Sequence, residues 1–248
     1  AQSVVRVSFP LALEPRDIRS QQAQVMNTIL GGGIFNARLM QNLREKHGYT
    51  YGCSSFLDVD RYNSSLVIST SVRTEVTDSA VAQIIAELER MRKEDVTAEE
   101  LTLAKRTKMG SFGRSLEDPR TVARFALNTR LNNLVADHYE TYLERLEAIT
   151  EGQVCEAAKA FLHPDQASIL VVGDLTRIEQ GLKSFTLNDD EGIIRLTEEG
   201  QRWKEELKPV TDRSARRAAR KRKCSASRSM SAPRCRSGGS FRVTTLTR

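Results

Sequence analysis

Leu30-Gly31-Gly32-Gly33-Ile34-Phe35-Asn36-Ala37-Arg38-Leu39-Met40-Gln41-Asn42-Leu43-Arg44-Glu45-Lys46-His47-Gly48-Tyr49-Thr50-Tyr51 is the stretch of this 248-residue chain that says most about its fold. The three glycines end whatever helix precedes them. Phe35, Leu39, Met40 and Leu43 then recur at helical spacing, which predicts a short amphipathic helix over 35–46. Gly48 supplies the stop, because a helix commonly ends on a residue that tolerates a left-handed backbone. The aromatic and β-branched run that follows predicts a strand. Arg44 lies at the end of the helix and Tyr51 seven residues later on the strand. Two side chains carried by two different elements can converge on one point, which is how a site is built on a rigid scaffold.

Working outward, residues 3–9 (SVVRVSF) read as a strand rich in β-branched residues, 10–15 as a loop, and Asp17 as the cap of a helix running to about Leu30. Strands are expected over 49–59 and 64–72, joined by the turn Arg61-Tyr62-Asn63, followed by an amphipathic helix over 75–93. Thr97 with Glu100 three residues on is a capping signature, and Pro119 after Asp118 fits the first position of a further helix. These helices should end near Ser115 and Leu131, with two more over 139–148 and 151–161. His163-Pro164-Asp165 reads as a turn, 167–172 (ASILVV) as a buried strand and 175–183 as a closing helix. Strands gathered with long helices in this order predict an α+β fold, a mostly antiparallel sheet covered by helices.

Composition divides the chain into three parts. Residues 1–185 form the expected packed domain, 186–212 a polar linker or extension with a strand at 193–196, and 213–248 a basic tail. Of 38 basic and 32 acidic side chains, twelve basic and no acidic ones lie in 213–248, leaving 26 against 32 in the rest. The body is therefore acidic, and the excess positive charge belongs to the tail. A tail of Arg, Ser, Ala, Cys and Gly without periodicity is expected to be disordered. It would attract phosphates by counterion release alone. An accidental or out-of-frame extension is the preferred reading of it over a nucleic-acid arm or a nuclear-type signal. Nucleic acid is not an expected partner of the body.

The four cysteines, at 53, 155, 224 and 235, have no metal-type spacing and define no disulfide framework. Cys53 and Cys155 are expected to be buried, inert thiols. No stretch approaches the roughly 18 apolar residues that span a bilayer. The chain opens on Ala-Gln-Ser and reads as a strand by residue 3, the pattern of a piece cut from a longer protein. Gly31–Gly33 lack both the spacing and the lysine of a phosphate loop and follow a helix rather than a strand. From the residues alone, Arg44 and Tyr51 admit two readings. Arg44 pairs with a neighbouring carboxylate while Tyr51 is a half-buried strand residue, or both donate hydrogen bonds to an oxygen that gains negative charge in a reaction.

The sequence L-G-G-G, then A-R-L, then L-R-E-K-x-G-x-x-Y resembles the second, non-metal-binding half of the pitrilysin/insulinase metallopeptidases, and the resemblance extends over roughly 3–184. It implies two homologous halves that close around a peptide. The zinc-bearing half, upstream in the same polypeptide or in a separate subunit, would carry His-x-x-Glu-His. This half would carry an arginine–tyrosine pair, here Arg44 and Tyr51, for catalysis and substrate binding. Gly31, Gly32 and Gly33 would face the partner half, with glycine allowing close approach and positive φ. Asn36 and Arg38 would anchor the helix, and His47 has no assigned role. The three histidines, at 47, 138 and 163, have no two four residues apart, so no zinc is expected in this chain, whose ligands would have to be three protein groups plus an open position. The chain is expected to be inactive by itself. A catalytically silent scaffold of the same fold, like the core subunits of respiratory complexes, is the alternative. ARFALNTRLNNL and SVRTEVTDSAV are similar to segments of long bacterial envelope members, which implies the periplasm or cell envelope.

Overall fold

In β1 (Gln2–Leu11) Ser3, Val5, Val7 and Phe9 are buried while Gln2, Val4 and Arg6 face out. β3 (Ser64–Arg73) and β4 (Ser168–Gly173) alternate in the same way. Period-two burial on every long strand means that one face of the sheet is packed and the other is open. The computed structural model describes residues 2–33, 35–185, 193–197, 200–202 and 242–247. The described strands form one sheet in the order β2-β3-β1-β4-β6-β5, where β2 is Thr50–Asp58, β5 Ile194–Leu196 and β6 Arg242–Thr247. β2, β3, β1 and β4 are antiparallel. β6 runs parallel to both β4 and β5. The fold is α+β with a mostly antiparallel sheet, as expected.

Residues 242–247 require a correction. They were expected to fall in a disordered tail, yet they form β6 beside β4. The absence of acids says little about a backbone ladder, and the β-branched run RVTTLT suits a strand. Paired with it, β4 is no longer an open edge. The remainder of the expected tail, 213–241 and 248, lies outside the described residues, as does most of the expected linker.

The buried face is covered by α1 (Arg19–Asn27), α3 (Thr77–Lys93) and α7 (Glu151–Phe161). Their aliphatic residues, among them Met26, Ile84, Leu88 and Val154, complete a single core with Val5, Val7, Leu66, Ile68 and Ile169. Helix starts match local chemistry. Thr97 and Glu100 form the expected capping box of α4 (Ala98–Ser115), Asp118 accepts from Arg120 N–H at the start of α5 (Pro119–Leu131), and Thr150 with Gln153 caps α7. α6 (Tyr142–Glu147) is shorter than expected, and α8 (Leu175–Leu182) follows β4.

At the end of α1 the helix does not stop at the glycines. It widens into a π turn over Thr28–Gly32 and ends at Gly33, whose φ and ψ of −78° and 171° are extended. None of the three glycines has a positive φ; Gly48 and Gly200 are the described glycines that do. The reason for glycine here is proximity. A Cβ on Gly31 would meet Ser55 Oγ at 2.7 Å, Ser55 N at 2.8 Å and Leu39 Cδ1 at 2.8 Å. Asn27 and Ser55 complete this contact, with Ser55 Oγ donating to Asn27 Oδ1 at 2.6 Å. Gly31 is buried against β2, so it packs inward where a partner-facing loop was expected, while Gly32 is exposed.

Replacing Gly31 with Ala should destabilise the fold by about 1–3 kcal/mol, the usual cost of overpacking. Gly113→Ala, in α4 with open space around the new Cβ, should raise stability by up to about 1 kcal/mol. Urea unfolding of the two variants checks both signs.

Candidate functional site

The short helix expected over 35–46 is built in two pieces. Ala37 is extended, α2 (Arg38–Met40) makes one turn, and a π turn carries Gln41–Lys46. π turns are rare and recur at functional sites. Two buried contacts hold this segment. Arg38, 6% exposed, donates from Nε to Glu100 Oε1 at 2.7 Å and from Nη2 to Glu100 Oε2 at 2.8 Å. Asn42 Nδ2 donates to Oε2 of Glu87, a carboxylate in α3 that is 1% exposed, at 3.0 Å. Arg38 is therefore structural, as expected, while no hydrogen bond of the Asn36 side chain supports the expected anchoring role among the described residues. Glu100 serves twice, since its Oε2 also accepts from Thr97 N–H at the α4 cap.

These contacts set the charge states. The Arg38 guanidinium holds the Glu100 carboxyl below its ordinary 4.5, against the opposing effect of burial. Glu100 in turn raises Arg38. Burial pushes the Cys53 thiol up to about 12, which keeps it a neutral, unreactive group. Cys155 is likewise buried and unbridged.

The π turn closes on Gly48, whose φ of +62° lets its N–H donate to Arg44 O at 3.0 Å while Tyr49 N–H donates to Leu43 O at 2.9 Å. The chain then enters β2. The Arg44 guanidinium lies 5.3 Å from the centre of the Phe35 ring and 3.5 Å from Glu45 Oε1. The pair with Glu45 is solvent-exposed, a type worth little, so it is the weak form of the carboxylate pairing considered above. Phe35, 58% exposed, forms a wall of a cleft of about 530 Å³ that runs between Gly33, Ala37 and α4. Phe35 falls at the start of the expected amphipathic helix; the structure leaves it before the helix and exposed, with its ring beside the Arg44 guanidinium.

Tyr51 is 90% exposed, not half-buried. On β2 the inward positions are Cys53, Ser55 and Leu57, and plain alternation would send Tyr51 inward too. A β-bulge intervenes: Thr50 pairs with Val72 and Cys53 with Thr70, so β2 spends one more residue than β3 across this interval. A bulge re-aims side chains at a sheet edge, and here it turns the phenol out. Gly52, a glycine inside a strand, is the sequence signal for it; the alternation reading passed over it. Arg44 and Tyr51 thus stand where the π turn feeds the edge strand. Among the described residues no hydrogen bond joins them, and neither polar group has a hydrogen-bond partner.

For zinc, the donor set does not fit. His47 stacks on Tyr49 at the π-turn exit, His138 packs edge-on to Tyr139, and His163 lies against Ala160 O. Among the described residues no three His, Cys, Asp or Glu side chains gather as a metal site would require. No described helix is long and apolar enough to cross a membrane.

Residues 2–108 match the family described as the Peptidase M16 inactive domain. Among solved structures, the Peptidase M16 inactive domain from Pseudomonas fluorescens is 26% identical with a TM-score of 0.64, covering 68% of this chain and 40% of that one. The periplasmic protease PqqL from Escherichia coli shares the fold at 17% identity and a TM-score of 0.58, covering 68% of this chain and 19% of that one. A chain of complex III2 from Candida albicans shares it at 14% identity and a TM-score of 0.59, covering 73% and 45%. The chain spans about two fifths of the length of the first solved relatives it matches. No curated protein matches it.

Arg38→Met should cost about 3 kcal/mol, because it leaves Glu100 half-buried without its cation. The pH dependence has a definite sign. A carboxyl held low in the folded state contributes stability above its unfolded value and loses it as pH falls through the folded value. The stability gap between the wild type and Glu100→Gln should therefore be constant from pH 7 to about 5 and close below about pH 4. Chemical denaturation across that range measures it.

Proposed function

We propose that this chain is the substrate-binding, chamber-closing half of a zinc-dependent metalloendopeptidase and that Arg44 and Tyr51 act on the scissile carbonyl. The observation that carries this reading is the outward placement of Tyr51 by a bulge, next to a π turn that presents Arg44. Two strong donors held toward solvent, Tyr51 with no hydrogen-bond partner among the described residues and Arg44 with only an exposed ion pair to Glu45 and the Phe35 ring beside it, are available to a ligand. A sheet wall that only filled space would need neither.

The chemistry follows from the donors. When water attacks a peptide carbonyl, the carbonyl electron pair moves onto oxygen. A guanidinium N–H and a phenol O–H, both donors, stabilise that oxygen more strongly in the tetrahedral state than in the flat substrate. The carbon–nitrogen bond then breaks and the amine leaves with a proton. Zinc, its histidines and the general base belong in this reading to a homologous partner half, from the same polypeptide or a separate subunit, which activates the water. This chain binds, orients and neutralises. Its peptide would lie between the halves, and Gly32 and Gly33 would be the part of the glycine loop free to face the partner. The likeness to a periplasmic protease supports the bacterial periplasm or cell envelope as the location.

The likeness to a complex III2 chain favours the second reading, a silent scaffold. Mixing the two halves separates them. With a zinc-bearing half from the same genome and a quenched peptide, cleavage should require both chains. Arg44→Ala/Tyr51→Phe should lower kcat at least about tenfold, the low end for lost transition-state donors. Full activity in that double variant assigns this chain to the scaffold class.

A further inference from the structure

We propose that Thr50, with Thr70 behind it, is the positioning pair that holds Tyr51 in its outward orientation; this rests on the reading of Tyr51 given above. Tyr51 itself is almost wholly exposed, so no packing around its ring fixes its direction. The backbone beneath it must do so. An edge strand with an extra residue and a neighbouring glycine could relax toward regular pairing, and a one-residue slip would send the phenol to the opposite face.

Two hydroxyls block that slip. Thr50 Oγ1 accepts from Gly52 N–H at 3.0 Å, closing a small ring around Tyr51. The same oxygen lies 2.7 Å from Ser71 O, the carbonyl opposite the bulge, and 2.9 Å from Gly52 O. Thr70, only 4% exposed, places its Oγ1 3.0 Å from Thr50 Oγ1 and 2.9 Å from Gly52 O. Each hydroxyl has one proton to donate and two lone pairs to accept with. Thr50 donating to Ser71 O and Thr70 donating to Gly52 O gives each hydroxyl proton one acceptor and leaves Thr50 to accept from Gly52 N–H; the Thr50–Thr70 and Thr50–Gly52 O approaches then carry no proton. Both peptide groups flanking the extra residue are then tied down, one from β2 itself and one from β3. Neither threonine needs to touch the substrate; both act through the backbone of residues 51 and 52.

The chemistry needs this stiffness because a donor contributes to an oxyanion only when it is already in place, and misplacement by about 1 Å can cost two orders of magnitude in rate. Valine at 50 keeps the shape of threonine and removes the hydroxyl, while serine keeps the hydroxyl.

The test uses the chain mixed with its zinc-bearing half. Thr50→Val should lower kcat about tenfold with KM within a factor of about two, Thr50→Ser should restore kcat, and Thr50→Val should cost nothing further in a Tyr51→Phe background. Hydrogen exchange at the Gly52 amide of the same chain should be faster in Thr50→Val and unchanged in Thr50→Ser. Thr50→Val with wild-type kcat, beside an impaired Tyr51→Phe, overturns the positioning role and leaves the reading of Tyr51 intact. Loss that adds to that of Tyr51→Phe also overturns it, since the threonine then acts on general stability. Full activity of Tyr51→Phe removes the role of Tyr51, and the positioning proposal falls with it. Should Thr50→Val unfold, Thr70→Val judged by the same kcat and exchange criteria decides.

Discussion

A helix can approach a strand only as closely as the side chains between them allow, and at Gly31 there is none. The π turn after α1 uses that gap to rest on the backbone of β2 at Ser55, and Asn27 locks the contact with a buried hydrogen bond. Everything around the candidate site is referenced to this approach. The wall formed by Phe35, the turn from which α2 departs and the edge strand that carries Tyr51 all start within a few residues of it. Two carboxylates, the buried Glu87 and the half-buried Glu100, then tie the α2 segment to α3 and α4. Arg44 thus stands on a segment braced from three sides by groups that have no part in chemistry.

Much of the layer arrangement was legible because it rests on strong periodicity. The alternation in SVVRVSF and ASILVV and the caps at Thr97, Asp118 and Thr150 each have a local cause, and the structure keeps them. What was not legible depends on tertiary contacts. Nothing in the spacing of 28–32 or 41–46 distinguishes a π turn from an α-helix, because the extra residue per turn answers to packing against β2 and α3. The bulge at Tyr51 was written in Gly52, but a single glycine in a strand has several meanings. β6 was hidden by composition, since a run of arginines and serines drew attention away from the six β-prone residues that follow it.

The same comparison applies to the glycines. Conformational freedom and small size are different properties of the residue, and only the second is used at Gly31 to Gly33, while Gly48 uses the first. The family resemblance pointed to the segment that carries Arg44 and Tyr51. It said nothing of how the fold turns each side chain outward, and that part is specific to the hydrogen bonds of this chain.

The order of the outer strands bears on how the sheet is assembled. β5 is made before β6, yet it touches the rest of the sheet only through β6, which lies between it and β4. Residues 194–196 therefore have no ladder to join until residues 242–247 exist and have docked. Four antiparallel strands can form from the chain up to Gly173, whereas the parallel margin is a late addition closed over a long sequence separation, the slow kind of contact. The margin that holds Arg44 and Tyr51 is the early one. The edge that carries Tyr51 is thus complete while the opposite border is still waiting for its middle strand.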